Sequence, residues 1–155
     1  MEDLDRIDLR ILDILQRDGR LSNLKLAEQV ALSPTAVLAR VQRLTRSGVI
    51  LGYEARLNPQ KLGAGLLVFV EVLLDRTAPQ MFDAFKAAVL VRPEIQECHM
   101  VAGGFDYLLK VRAADMEAYR AFSGDVLWRL PGVRETRTYA VMEEVKASTQ
   151  LPLEP

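Results

Sequence analysis

The stretch LLVFVEVLL, residues 66–74, constrains the fold more than any other segment of this chain. Successive side chains of a strand point to opposite faces of its sheet, and here both sets of alternate positions are largely apolar. One set is Leu66, Val68, Val70, Val72 and Leu74, and the other includes Leu67, Phe69 and Leu73. A strand of this kind has to be covered on both faces, so a sheet with one face in water is a poor solution.

The segments that follow this strand predict one α+β domain. Their order is strand, helix, strand, strand, helix and strand, in LLVFVEVLL, PQMFDAFKAAVL, IQECHMV, DYLLKVR, DMEAYRAFSGDVLWRL and VRETRTYAVM. This is the βαββαβ order of the ferredoxin-like fold. Because both helices of that fold cover the same face of the sheet, the other face needs a partner. We therefore expect at least a homodimer formed through this domain.

Three amphipathic helices are expected before that domain. Residues 4–17 carry an apolar stripe and stop before Gly19, as helix termini prefer. Ser22 can cap a second helix, in which Leu24, Ala27 and Val30 are expected to face inward. The short turn ALS then separates this helix from the third.

The third helix is basic and has clear start signals. Ser33 is a good cap, and Pro34 suits the first helical position, where its missing N–H costs nothing. Val37, Val41 and Leu44 bury one face and leave the arginines to the others. These arginines are Arg40, Arg43 and Arg46. The run VILGYEARL, residues 49–57, then reads as a strand.

Three short helices followed by a strand hairpin or wing are the pattern of a winged helix-turn-helix, whose third helix lies in the major groove of DNA. Ser33, Thr35 and the free amides of the first turn can bind a phosphate, while the arginines add charge. Arginines on a surface helix are often only a solvated face. The two preceding helices and the following strand favour DNA binding here.

The stretch NPQKLGAG, residues 58–65, is the only connection dense in proline and glycine. We place the domain boundary in it. The predicted organisation is a winged helix-turn-helix domain over residues 1–57, a linker over 58–65 and a ferredoxin-like domain over 66–155.

Composition limits the partners and the compartment. The net charge of −1 argues against indiscriminate coating of nucleic acid or membrane, although residues 33–62 hold five Arg or Lys against the single acid Glu54. The lone Cys98 excludes an internal disulfide and, within one chain, a cysteine-based zinc or iron-sulfur site. The acidic start, and the lack of an apolar run near the roughly 18 residues that span a bilayer, predict a cytoplasmic protein without a membrane partner.

Enzymatic chemistry lacks its usual motifs in this chain. There is no nucleophile elbow, phosphate-binding loop or His-Glu-x-x-His metal motif. Cys98 and His99 are adjacent on a predicted strand and therefore point to opposite faces, so we expect ordinary strand residues. No metal and no cofactor are expected, and the protein is not predicted to be an enzyme.

The stretch VAGGFDYLL, residues 101–109, is a candidate ligand loop. Its two glycines let the backbone approach a ligand closely, and their amides can hold a carboxylate. Asp106 follows them and can pair with an ammonium group, so the loop suits a free amino acid. The alternative is a plain glycine turn between two strands, which the residues by themselves favour.

Three long stretches of the chain resemble the Lrp/AsnC (feast/famine) family. They are LDRIDLRILDILQRDGRLSNLKLAEQVALSPTAVLARVQRLTRSGVILGYEARLNPQKLG, EIQECHMVAGGFDYLLKVR and LPGVRETRTYAVMEEVK, and they cover nearly the whole sequence. Members of this family are transcription regulators with an N-terminal helix-turn-helix domain and a C-terminal ferredoxin-like domain that senses small molecules, usually amino acids. They form dimers that assemble further, often into octamers that wrap DNA.

The resemblance implies partners and site residues. It makes residues 23–42 the helix-turn-helix proper, with Ser33, Thr35, Arg40 and Arg43 as contacts to double-stranded DNA. It also implies that the glycine loop forms the effector pocket, at an interface between dimers, and that leucine or methionine suits its apolar wall. The implied pocket residues are Gly103, Gly104, Phe105, Asp106 and Tyr107, with Met116 and Tyr139 as the apolar wall.

The chain departs from the family pattern at three positions. Family members often have glycine where this chain has Ala31, and an acid followed by arginine where it has Ala39 and Gln42. In a left-handed conformation Ala31 costs about 1 kcal/mol more than glycine. The changes at Ala39 and Gln42 bear on the operator sequence.

Two other functions stay open at this point. One is an architectural protein that compacts DNA without an effector, and the other is a ferredoxin-like enzyme or small-molecule sensor whose helical domain contacts proteins. Reversing Arg40 and Arg43 to glutamate is expected to abolish DNA binding and leave assembly intact. Asp106→Ala is expected to remove amino-acid binding without affecting the fold.

Overall fold

The computed structural model describes residues 4–75 and 80–154. The chain folds into two compact units. The helical unit contains the residues up to Arg56 and, from the other end of the chain, the segment that begins at Lys146. The sheet unit is Leu57–Val145. Among the described residues no helix is both long enough and apolar enough to cross a membrane.

Apart from the strand predicted over residues 49–57, the elements follow the predicted order of helices and strands. The helical unit contains α1 (Arg6–Arg17), α2 (Asn23–Val30) and α3 (Pro34–Arg46). The sheet unit contains β1 (Leu66–Leu74), α4 (Met81–Leu90), β2 (Ile95–Met100), β3 (Tyr107–Ala113), α5 (Met116–Asp125) and β4 (Val133–Ala140). A 3-10 turn over Leu127–Arg129 lies between α5 and β4, so the last predicted helical segment is split into two pieces.

Helix α1 begins with a reciprocal capping box. The Asp5 carboxylate accepts from the Asp8 amide at 2.8 Å, and the Asp8 carboxylate accepts from the Asp5 amide at 3.2 Å. Two of the amides that a helix start leaves unpaired are thereby satisfied. Ile11 and Leu15 then face the core of the helical unit, which also contains Leu26, Ala27, Val30, Val37 and Leu44.

The predicted caps of α2 and α3 are confirmed. The Ser22 hydroxyl accepts from the Lys25 amide at 3.4 Å, and the Ser33 hydroxyl accepts from the Ala36 amide at 3.2 Å. Pro34 stands at the start of α3, as its missing N–H allows. The turn between the two helices therefore spans only residues 31–33.

Ala31 ends α2 in the left-handed conformation, with φ +55° and ψ +45°. We expect Ala31→Gly to raise the free energy of unfolding of the helical unit by about 0.5–1 kcal/mol, since the relief of strain outweighs the added chain entropy of glycine. Chemical denaturation followed by helical circular dichroism measures this change. A lower stability for Ala31→Gly would contradict the strain.

Two predictions for the helical unit are wrong. Leu24 is 59% exposed and Leu26 is fully buried instead. Leu24 and Val30 are six residues apart, which places them on different faces of a helix with 3.6 residues per turn. Residues 49–57 form no strand, because a ladder needs a partner segment and none pairs with them within residues 4–75 and 80–154.

The end of the chain packs on the helical unit. Gln16 of α1 uses its side-chain amide as a two-point contact: its Oε1 accepts from the Leu151 amide at 2.9 Å, and its Nε2 donates to the Leu151 carbonyl at 3.0 Å. Arg56 donates to the Ala147 carbonyl at 3.3 Å. The sequence predicts a second domain over residues 66–155, whereas in the structure the segment from Lys146 onward packs with the helical unit.

The sheet unit has the predicted ferredoxin-like topology. Its strands are all antiparallel and lie in the order β2-β3-β1-β4. The β1 side chains that point toward α4 and α5 are fully or almost fully buried: Val68, Val70, Val72 and Leu74. The opposite face, which we call the open face, carries Phe69, Glu71 and Leu73 of the same strand, all half-buried.

Candidate DNA-binding helix and effector pocket

Helix α3 presents an exposed stripe opposite its buried face. Thr35, Ala39, Gln42 and Arg46 are all exposed and recur at spacings of four, three and four residues, which places them on one side of the helix. Leu38 lies beside them and is also exposed. We call these five residues the outward stripe. Two of the three departures from the family pattern, Ala39 and Gln42, belong to it.

The start of α3 has the features of a phosphate site. Ser33 and Thr35 are exposed beside the first turn of the helix, where unpaired amides and the helix dipole favour an anion. The Ser33 oxygen accepts the capping bond from Ala36, and a hydroxyl that accepts a hydrogen bond can still donate one. Their role as DNA contacts stays a prediction.

Arg40 and Arg43 differ from Arg46, because both are ion-paired to the start of α1. Arg40 Nη1 lies 2.7 Å from Asp5 Oδ2 and 2.8 Å from Asp8 Oδ1. Arg43 Nη2 donates to the other Asp8 oxygen. Asp8 is only 1% exposed, so these arginines compensate a buried carboxylate. The sequence predicts both as DNA contacts, and in the structure they also join α1 to α3 through these ion pairs.

The electrostatics of this cluster favour its charged form. Burial raises the pKa of Asp8, but the hydrogen bonds from Arg43 and Arg40 outweigh it and keep that pKa below its usual value. The Asp8 amide, followed by Arg40, lowers the pKa of Asp5. Both carboxylates are therefore ionised at neutral pH, and the four groups together carry no formal net charge.

A pocket of about 290 Å³ opens beside the glycine loop of the sheet unit. Gly104 and Phe105 line it from the loop, and Glu71 and Leu73 line it from β1. The remaining lining residues belong to β4: Glu135, Thr136 and Arg137. Glu71 is directly opposite Arg137 in the β1–β4 ladder, and Leu73 is opposite Glu135. The pocket therefore combines carboxylates, a guanidinium and apolar surface.

The charged residues of the pocket were not singled out in the sequence. Arg137 Nη2 lies 3.1 Å from Glu135 Oε1, and Tyr139 donates its hydroxyl to Glu71 Oε1 at 3.2 Å. The alternation of side chains along a strand places Glu135 and Arg137 on the same side of β4, and it places Glu71 on the open face of β1. This alternation is the sequence signal that could have identified them. The pairing of the two strands is what brings them together.

Asp106, which the sequence predicts as a ligand contact, makes hydrogen bonds within the fold. Its side chain is 5% exposed, and its carboxylate accepts from the Leu74 amide at 2.8 Å. The Asp106 amide donates to the Val72 carbonyl at 3.0 Å, so the residue continues the pairing of β1 and β3 beyond the last ladder pair. The pairing of this carboxylate with a ligand ammonium stays a prediction, and in the structure the carboxylate also accepts a hydrogen bond within the fold.

The other predicted pocket residues are divided between two places. Gly104 and Phe105 line the pocket, Gly103 is exposed next to them, and Tyr139 reaches it through Glu71. Tyr107 is buried in the core with its ring 4.7 Å from that of Phe85, and its hydroxyl finds no partner among the described residues. Met116 begins α5, in the helical layer that covers the other face of the sheet. Tyr107 and Met116 therefore do not line this pocket.

The neighbours Cys98 and His99 point to opposite faces of β2, as predicted. Cys98 packs against the core between the sheet and its helices, and burial raises the pKa of its thiol. His99 is exposed, with Nε2 3.1 Å from Glu97 Oε2. The two side chains cannot act on one substrate.

Comparisons with known proteins find the same two domains in the same order along the chain. Residues 4–50 match the model of a winged helix-turn-helix DNA-binding domain, and residues 67–151 match the Lrp/AsnC ligand binding domain. The leucine-responsive regulatory protein of Salmonella typhimurium is 61% identical over 97% of this chain and 92% of its own length. Its counterpart in Escherichia coli K12 is 60% identical over the same shares.

Solved structures show the same architecture. A transcriptional regulator of Neisseria meningitidis, solved as a complex with L-Met, has a TM-score of 0.92 and 38% identity, and the match covers 96% of each chain. An AsnC-family transcriptional regulator of Agrobacterium tumefaciens has a TM-score of 0.91 and 34% identity, again over 96% of each chain. These relatives are named as regulators and not as enzymes. With a DNA-binding helix-turn-helix and a ligand-binding ferredoxin-like domain in one chain, the protein belongs to the Lrp/AsnC family of transcriptional regulators.

Proposed function

We propose that this regulator binds specific DNA sites through α3 as an oligomer in the cytoplasm, and that free leucine or methionine controls it from the pocket beside the glycine loop. One observation supports the effector site above all. Within a single small pocket, Arg137 can receive a carboxylate while Glu71 and Glu135 can receive an ammonium group. These are the two charges of a free amino acid.

The size and lining of the pocket suit a small ligand. Its volume of about 290 Å³ is at the lower end of ligand pockets, which span roughly 300–1,000 Å³. Leu73 and Phe105 provide apolar surface for an aliphatic side chain. The names of the relatives point the same way, since some are called leucine-responsive and one was solved with L-Met.

The glycines of the loop are not required by the fold of the unit itself. Neither Gly103 nor Gly104 has a positive φ, and a Cβ added to either would meet no heavy atom within 4 Å. The space beside both glycines is therefore open to something that approaches from outside the unit. A ligand carboxylate is one such group, and amides in a loop bind anions well.

The DNA contacts follow from the outward stripe of α3. We assign the base edges to Thr35 and Gln42, whose hydroxyl and amide can read them, and a phosphate to Arg46. Ser33 and the amides of the first turn take a second phosphate. Arg40 and Arg43 reach DNA from the flank of the helix, where they are also tied to Asp5 and Asp8.

A second copy of the chain accounts for the open face of the sheet. Outside the pocket that Leu73 lines, Phe69 of β1 and Leu108 of β3 are half-buried there without a covering layer from their own unit. Covering apolar side chains on a sheet face with another surface removes them from water and lowers the free energy. We propose a homodimer through this face, and further assembly of dimers toward an octamer.

Calorimetric titration with leucine and methionine tests the effector site. Arg137→Ala is expected to weaken binding of the amino acid at least tenfold, because a charge-assisted bond to its carboxylate contributes about 1.5–3 kcal/mol. The matched control is Arg129→Ala, which removes an exposed arginine paired with Asp125 elsewhere in the sheet unit. The control is expected to bind as the wild type does, and light scattering follows assembly in parallel.

Two results would overturn parts of this proposal. Normal binding by Arg137→Ala would show that the pocket is misplaced. Failure of the wild-type oligomer to bind any amino acid, combined with sequence-specific DNA binding, would favour an architectural protein or an effector of another kind.

A further inference from the structure

The acids at the start of α1 lie on the same flank of the helical unit as two arginines of α3. Two guanidinium groups and two carboxylates meet there, and their formal charges cancel. The basic face that the sequence places on α3 is therefore largely neutralised before any DNA arrives. Within residues 4–75 and 80–154, Arg46 forms no such ion pair, and its Nε donates to the Gln42 carbonyl at 3.3 Å.

Asp8 holds both arginines from a fixed position. It is the third residue of α1, locked by the capping box, and its two oxygens are bonded to Arg40 and to Arg43. Buried and paired on both oxygens, it has little freedom to move. The arginines are thereby ordered in the free protein, and each guanidinium has five N–H donors, more than these contacts occupy.

Asp5 caps α1 and adds charge to the cluster. Its side chain is 52% exposed. Besides accepting from the Asp8 amide, it contacts Arg40 only at Nη1, which Asp8 holds as well. Removing its charge therefore leaves Arg40 anchored by Asp8, but with an uncompensated positive charge on the flank of α3. Non-specific DNA affinity grows with the number of phosphates that the protein neutralises. An acid paired with Arg40 reduces the number of phosphates that the protein can neutralise.

We propose that Asp5 and Asp8 are specificity-determining residues of DNA binding: they order Arg40 and Arg43 and cancel part of their charge, which suppresses non-specific binding more than binding to the correct site. This inference rests on the proposed contact between α3 and DNA. In the correct complex, the ordered arginines lose less conformational freedom on binding. On random DNA the compensated charge releases fewer counterions. Both effects increase the ratio of the affinity for the correct site to the affinity for random DNA.

Asp5→Asn in the full-length protein tests this inference. Asparagine is as good a helix cap as aspartate, so α1 keeps its start while the charge is lost. The matched control is Asp13→Asn, which removes the same charge from the same helix but from a carboxylate paired with Arg17. Asp5→Ser, with another strong capping residue, is the second variant if Asp5→Asn unfolds.

Each protein is titrated over a range of salt concentrations with two duplexes. One has a random sequence, and the other is selected from a random pool by the wild type. We expect Asp5→Asn to bind the random duplex more tightly, with a log–log salt slope steeper by about 0.9, the value of one added phosphate contact. The ratio of selected to random affinity is expected to fall several-fold, while Asp13→Asn leaves both quantities at wild-type values. A role for Asp5 in capping alone would leave the salt slope unchanged.

The failures of this inference and of the proposed function are distinguishable. The specificity role would be overturned if Asp5→Asn had the same salt slope and the same ratio of selected to random affinity as the wild type. It would also be overturned if Asp13→Asn changed both quantities as Asp5→Asn does. Either result would leave α3 as the DNA-binding helix. A wild-type protein that selects no duplex from the pool would overturn the proposed DNA contact, and this inference with it.

Discussion

Reversing both Arg40 and Arg43 to glutamate is expected to unfold the helical unit rather than to remove DNA contacts from an intact domain. Asp8 is buried, and these two arginines are its charged partners. Leaving a buried carboxylate uncompensated costs roughly 3–5 kcal/mol, and two new acids beside it add repulsion. This is a large part of the 5–15 kcal/mol that stabilises a typical domain.

Two spectroscopic signals separate the two units. Trp128 is the only tryptophan and lies in the sheet unit, so its fluorescence reports on that unit. The helical circular dichroism at 222 nm falls when α1, α2 and α3 unfold. We expect the double reversal to lose helical signal under native conditions while the Trp128 transition stays close to that of the wild type.

Controls for this prediction use arginines that do not touch Asp8. Arg46→Glu and Arg17→Glu make the same charge reversal on exposed positions, and we expect each to change stability by no more than about 0.5 kcal/mol. Adding Asp8→Asn to the double variant is expected to restore part of the helical signal, because a neutral buried side chain no longer needs the arginines. A double variant with full helical content would contradict the structural role, and its loss of DNA binding would then report on contacts.

Asp106→Ala is expected to destabilise the sheet unit by about 2–3 kcal/mol, since it removes a buried charge-assisted hydrogen bond and leaves the Leu74 amide without this acceptor. Chemical denaturation followed by Trp128 fluorescence measures the change. Asp106→Asn is expected to lose less, because an amide oxygen can still accept from Leu74. Glu94→Gln is the control, as it neutralises an exposed carboxylate of the same unit.

Amino-acid binding separates this prediction from a role in ligand recognition. At temperatures where Asp106→Asn remains folded, we expect it to bind leucine or methionine as the wild type does. A variant with unchanged stability and no amino-acid binding would instead support the predicted ammonium-binding role of Asp106.

Local patterns predicted the elements of this fold well. The caps at Ser22 and Ser33, the proline at the start of α3 and the succession of strands and helices along the sheet unit all depend on residues within a few positions of one another. The wrong predictions share a cause. In both cases the residue types suit the predicted role, but their surroundings do not. The segment 49–57 has a strand-like composition, yet no second segment among the described residues pairs with it. Leu24 is apolar, yet it lies outside the buried face of α2.

The candidate sites were harder to predict, because their residues meet over long distances in sequence. Arg40 and Arg43 reach an acid 32 and 35 positions earlier in the chain. Glu71 and Arg137 come together only through the register of β1 and β4. A loop pattern of glycine and aspartate is equally compatible with a carboxylate that faces a ligand and with one that turns inward, as Asp106 does.

The sequence by itself determined which segments are helices and strands, where most helices begin, and the two-part organisation with a helix-turn-helix before a ferredoxin-like sheet. Those features follow from periodicity and capping, which act over one or two turns or along one strand. Only the tertiary structure decided which charged residues form ion pairs that stabilise the fold and which stay exposed for binding to partners. The free energy of a charge depends on the burial and on the neighbours that packing brings to it, and neither is written in the residues next to it along the chain.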